Sequence, residues 1–202
     1  MIMNSPRLKE QGFSNLHRKL IFRIIAIGLI AYLLIAPDQL HISPIWAFIA
    51  QIAGMLAIFV GIIGRILATL SIGGKKDSMI VKTELYSICR NPLYFASFLI
   101  SIGLGLVSTR MDFTILILIS FFIIFFPMML NEAKVLRSKF EDYRDYEKRV
   151  PLFIPNFLLW KQREVFEINF RRVIRTLLDA SLVLLCLPMF IWLAIAVQHE
   201  FK

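Results

Sequence analysis

The chain has 202 residues, a net charge of +9, 58% hydrophobic and 18% charged residues, and a mean hydropathy of +0.71. Soluble domains are roughly half apolar and a quarter charged, so a water-soluble enzyme built on one core is excluded. Disorder is excluded too, since it needs low hydrophobicity.

The apolar residues gather in five long runs with the charges between them. A helix needs about 20 mostly apolar residues to cross the hydrocarbon layer. The first run is Leu20 to Ala36, with Arg23 near its start, and Pro37 and Pro44 bracket the polar turn that follows. Ile45 to Ile63 is the second, Leu93 to Thr109 the third and Phe113 to Leu130 the fourth. Ala180 to Val197 is the fifth, with Pro188 inside it. Backbone in lipid must satisfy its own hydrogen bonds, so the expected fold is all-α: a polytopic membrane helical bundle of about five transmembrane helices.

Orientation follows from the basic residues. Residues 1–23, 65–90 and 132–175 hold 21 of the 23 Lys and Arg, leaving Arg110 and Lys202 for the other side. The N-terminus and both long polar segments are therefore expected in the cytoplasm, with amphipathic helices there, and the C-terminus outside. The same basic excess suits anionic lipid headgroups, at roughly 1 kcal/mol per residue near the surface. No zinc spacing, recognition helix or aromatic platform accompanies it, so nucleic acid is not an expected partner.

The expected spans carry almost no ionisable residues, which places the chemistry at their cytoplasmic ends. His17, His41 and His199 fall on both sides of the membrane and cannot meet, and Cys89 and Cys186 are too few for a Cys-rich site. No metal site is expected. Neither a P-loop nor a dinucleotide fingerprint is present.

Two polar stretches abut span ends. The first runs from Glu84 to Tyr94, where Asn91-Pro92 marks a helix start: proline suits the first turn and Asn91 is a candidate cap. The second begins at Asn131-Glu132 as the fourth span ends. There Ala133, Leu136, Phe140 and Tyr143 form an apolar stripe at helical spacing, as on an amphipathic helix lying on a membrane. Glu132 sits where an apolar span meets the interface, so its carboxylate calls for a partner, with Arg90, Arg149 or a cationic ligand as candidates.

Tyr86, Arg90-Asn91-Pro92-x-Tyr94, then Glu132-(x3)-Leu136, then Tyr143-x-x-Tyr146-x-Lys148-Arg149-Val150-Pro151 together resemble the isoprenylcysteine carboxyl methyltransferase and phospholipid methyltransferase superfamily. These are small integral-membrane enzymes that use S-adenosylmethionine. The resemblance covers about residues 65–155. Asn91 stands where carboxyl methyltransferases usually have His, Ala133 at the second Glu of a Glu-Glu pair, Glu84 at a Gly, and Ala96 at the Gly after the second Tyr. The fifth span is an addition to the core.

The resemblance implies a methyltransferase-like core at 64–155, after a cytoplasmic segment 1–19 and a first hairpin 20–63. A surface helix at 156–175 and the fifth span with its tail at 176–202 would follow. It implies S-adenosylmethionine bound by Arg90, Asn91, Pro92, Tyr94, Glu132 and Tyr146. Arg149 and Glu132 are the candidate catalytic residues, Arg149 with Tyr146 serving the acceptor side or closing the site. Gly103 and Gly105 would admit a neighbouring helix or the ligand. The expected acceptor is a lipid or lipidated molecule entering from the bilayer, in a bacterial inner membrane. Two other readings are an NADPH-dependent reductase of the sterol reductase type, which shares part of the motif, and a degenerate member acting as a membrane scaffold.

Overall fold

The computed structural model describes residues 43–72 and 80–162 continuously, together with positions 20, 23–25, 27–32, 35, 174 and 178. The fifth run and most of the surface helix expected at 156–175 lie outside the described residues. The protein is all-helical, and the described residues contain no strand. Its elements are α1 (Pro44–Ile72), the single turn α2 (Leu85–Ile88), α3 (Pro92–Val107), α4 (Met111–Lys139), α5 (Tyr143–Arg149) and a 3-10 turn at Phe157–Leu159.

Both α1 and α4 have 29 residues and are long and apolar enough to cross a membrane. α3 has 16 residues, about 24 Å at 1.5 Å per residue, and is the shortest of the three apolar rods. The apolar runs predict the cores of these helices but not their ends. α1 continues past Ile63 to Ile72, and α4 past Leu130 to Lys139. Nothing in either extension breaks a helix, since a charged side chain is compatible with a helix that has left the lipid. Arg65, expected in a loop, therefore stands inside α1, where its guanidinium bonds the Ser97 hydroxyl of α3.

The three helices pack in the order α1, α3, α4, each antiparallel to the next. Small residues set the α1–α3 contact. A Cβ on Gly54 would meet the Gly103 carbonyl at 2.7 Å, and one on Gly61 the Ala96 carbonyl at 2.7 Å. Without bulk hydrophobic driving force between helices in lipid, such close backbone approach is how packing energy is gained. Gly103 serves this helix contact, and Gly105 abuts Thr114 at the start of α4, where a Cβ would come within 2.8 Å of its side chain. Ile58, Ile62 and Val107 form the buried cluster along this seam.

The α3–α4 turn closes the end opposite the motifs. Arg110 is 2% exposed, pairs with Asp112 at 2.7 Å and lies 5.4 Å from the Tyr32 ring centroid. The Tyr32 hydroxyl donates to the same carboxylate at 2.7 Å.

Candidate functional site

At the other end, the two polar stretches are knitted into one body. The Arg90 amide donates to the Pro151 carbonyl at 2.9 Å, the Asn156 amide to Ile88 at 2.9 Å, and the Glu84 amide to Lys161 at 2.7 Å. Side chains follow the same line. The Asn91 amide group donates to the Leu152 carbonyl at 2.9 Å, the Cys89 thiol to the Phe153 carbonyl at 3.0 Å, and the Lys161 amide to the Ser87 hydroxyl at 2.9 Å. Residues 84–91 thus take the tail 151–161 as their hydrogen-bonding partner.

This corrects the expected role of Asn91. Pro92 does occupy the first helical turn, but the Asn91 side chain makes no cap and ties down the tail instead. The Asn91 carbonyl accepts from the amides of Tyr94 and Phe95.

The apolar stripe also finds a different partner. The helix breaks at Phe140 and resumes at Tyr143. Ala133, Tyr143, Tyr146 and Val150 then form a buried cluster with Ile80, Leu136 and Phe140 around it. The stripe faces protein rather than lipid. The Tyr146 hydroxyl donates to the Tyr86 carbonyl at 2.6 Å. Burial raises the pKa values of Tyr86, Tyr146 and the Cys89 thiol, the last to about 11. All three stay protonated at neutral pH, so none is a ready base.

Glu132 is partnered by neither Arg90 nor Arg149: the Tyr94 hydroxyl donates to it at 3.0 Å. Tyr94 leads into a run of aromatic contacts, first with Phe125 at 5.3 Å between centroids. Phe153 from the tail lies among Phe95, Phe98, Phe121 and Phe122, at 5.3 to 6.2 Å.

Arg90 instead pairs with Glu147, which sequence reasoning passed over. Arg90 Nη1 donates to Glu147 Oε2 at 3.2 Å, and Arg137 Nε donates to the same oxygen at 2.9 Å. The signal was one carboxylate directly before the basic pair Lys148-Arg149 inside the motif's spacer. Arg90, Glu147, Lys148 and Arg149 line an open groove of about 700 Å³ whose far wall is Ile154, Pro155, Phe157 and Leu158. With Glu147 shared between two guanidiniums, the lining carries net positive charge.

Of the predicted site residues, the groove brings together Arg90 and Arg149. Tyr94 and Glu132 form a separate pair outside its lining, and Asn91, Pro92 and Tyr146 serve the scaffold around it. Arg90 Nε is buried without a hydrogen-bond partner. A buried unpaired donor is uncommon and asks for a reason. Among the described residues, no three His, Cys, Asp or Glu side chains converge to hold a metal ion.

Comparison with known proteins bears on the same stretch. The family described as "Phospholipid methyltransferase" matches residues 49–143. The nickel-cobalt-cadmium resistance protein NccN of Alcaligenes xylosoxydans xylosoxydans is 27% identical over 169 residues, 84% of this chain and 79% of that protein. The cobalt-zinc-cadmium resistance protein CzcN of Cupriavidus metallidurans is 26% identical over 172 residues, covering 84% and 78%. No solved structure matches. The matched stretch holds most of α1, all of α3 and α4, the Arg90–Tyr94 motif and Glu132, and over residues 49–143 the chain matches the phospholipid methyltransferase family of the integral-membrane methyltransferase superfamily.

Proposed function

We propose that this protein is an S-adenosylmethionine-dependent methyltransferase of a multi-pass inner membrane, acting on a lipophilic acceptor at the cytoplasmic face. The observation that carries the reading is the groove beside Arg90, with its unassigned Nε donor. The donor set suits the cofactor: Arg149 complements its carboxylate, and Glu147 its amino group and sulfonium. When bound, the cofactor supplies an activated methyl group.

The chain's own residues then position and desolvate. Arg137 holds Glu147, and Glu147 holds Arg90, so the cationic lining is fixed before any ligand arrives. A carboxylate acceptor needs only a cation to orient it, which Arg149 supplies. An ammonium acceptor must first lose a proton, and Glu132, held by the Tyr94 hydroxyl, is the available acceptor of that proton.

Binding of labelled S-adenosylmethionine to purified protein tests the site. Arg90→Gln and Arg149→Gln are each expected to weaken it about tenfold or more, the usual cost of a charge-assisted bond. Unchanged affinity in both variants overturns the assignment, and no binding to the unaltered protein favours the scaffold reading. With a lipid extract as acceptor, label released as a volatile product by mild base identifies a methyl ester. Label retained on a headgroup identifies N-methylation and gives Glu132→Gln as the variant that should lose turnover while keeping cofactor affinity.

A further inference from the structure

The tail after Pro151 combines two properties seldom found together. Ile154, Phe157 and Leu158 are 73%, 72% and 95% exposed, and Trp160 is 50% exposed. Yet the backbone that carries them is closely tied. The Asn156 amide bonds Ile88, the Leu159 amide bonds Asn156, and the Trp160 amide bonds Phe157. The Asn156 side chain accepts from the Leu158 amide, and the Lys161 amide bonds Ser87.

A segment with much of its polar backbone tied to protein and its apolar side chains outward is suited to the interface between water and hydrocarbon. Its depth points the same way. Phe153 touches Phe98, which lies about 9 Å along α3 from Pro92 at 1.5 Å per residue. On α4 it touches Phe121 and Phe122, about three turns before Glu132. The tail therefore reaches down beside the apolar rods rather than standing off in water. Two exposed cations flank it, Lys148 before and Lys161 after.

We propose that residues 152–160 form a strap seated in the bilayer surface, with anionic phospholipid as its partner. Ile154, Phe157 and Leu158 enter the boundary between headgroups and acyl chains, Trp160 sits at that boundary, and Lys148 and Lys161 meet lipid phosphates. This rests on the membrane placement of α1 and α4 and is independent of methyl transfer.

The test uses full-length protein in nanodiscs of mixed phosphatidylcholine and phosphatidylglycerol. Trp46→Phe with Trp192→Phe leaves Trp160 as the only tryptophan. Its emission should be lost to lipids brominated high on the acyl chain. Brominated phosphatidylglycerol in plain phosphatidylcholine should quench more than the reverse mixture at equal bromine, and Lys148→Gln with Lys161→Gln should equalise the two. Quenching of Trp160 by aqueous iodide but by neither brominated lipid overturns the strap, and equal quenching by the two mixtures in the unaltered chain overturns its preference for anionic lipid. A companion variant retaining only Trp46, exposed on α1, separates the causes. Trp46 quenched by brominated lipid while Trp160 is not defeats the strap alone, whereas neither quenched defeats the membrane placement on which it rests.

Discussion

Glu84 shows how a single residue can carry the imprint of a motif it has departed from. Its φ of 55° with ψ of −136° is a glycine conformation, and Glu84 stands where the superfamily resemblance places Gly. Such backbone costs a non-glycine residue about 1–3 kcal/mol. Because both replacements lose the carboxylate, Glu84→Gly should unfold at higher temperature than Glu84→Ala, by a margin worth about 1 kcal/mol. Equal melting in detergent would mean the strain is absorbed elsewhere. At this scale the sequence marks polar residues at the span ends without showing their partners. Arg90 and Arg149 were singled out by the motif and as cations for Glu132, yet Arg90 pairs with Glu147 and Arg149 Nε donates to the Asp145 carbonyl. Asn91 was misread because a cap is the local solution for an Asn before Pro, while its actual partner, Leu152, is distant in sequence. Glu147 was missed for the same reason: its partners Arg90 and Arg137 come from two other segments.

Helices were legible as apolar runs, and their pairing was legible only in part. The glycines of the third run were expected to admit a helix or a ligand, and Gly103 admits Gly54 and Ile58 of α1. Gly54→Leu should therefore destabilise the bundle by about 3 kcal/mol or more, since its Cβ would press on backbone atoms that cannot move aside. Gly28→Leu, with nothing within 4 Å of its added Cβ, is the matched control and should not lower the unfolding temperature. The ends of α1 and α4 were not legible, because hydropathy reports where lipid stops and a helix stops only where its hydrogen bonds do. The stripe from Ala133 to Tyr143 was found correctly as a stripe. Periodicity identifies an apolar face without identifying what covers it, and the break at Phe140 let that face close on α5 and on itself.

Taken together, the described residues join an apolar three-helix body to a polar cap in which the tail is the keystone. Cys89 reports on that joint. The thiol is fully buried, its proton bonded to Phe153, and its pKa raised by burial from 9.0 to about 11. The folded chain thus holds this proton longer than the unfolded chain does. The thiol's contribution to stability is complete below pH 9 and declines as pH rises from there towards 11. In a Cys186→Ala background, maleimide should label Cys89 very slowly at pH 7.5, and Phe153→Ala should speed labelling about tenfold by loosening the tail. Rapid labelling of the unaltered chain would mean the cap does not close in solution.

The hydrogen bonds between residues 84–91 and 151–161 also set an order of events during synthesis. Arg90 leaves the ribosome well before Pro151, and α3 and α4 lie in between. Throughout that interval the amides of Glu84 and Arg90 lack their later partners, and Arg90 lacks Glu147. The site is consequently the last part of the described chain to exist. A chain cut after Val150 would keep α1, α3 and α4 and lack the groove's far wall, so the helical body and the groove are completed at different times, separated by the emergence of residues 151–161.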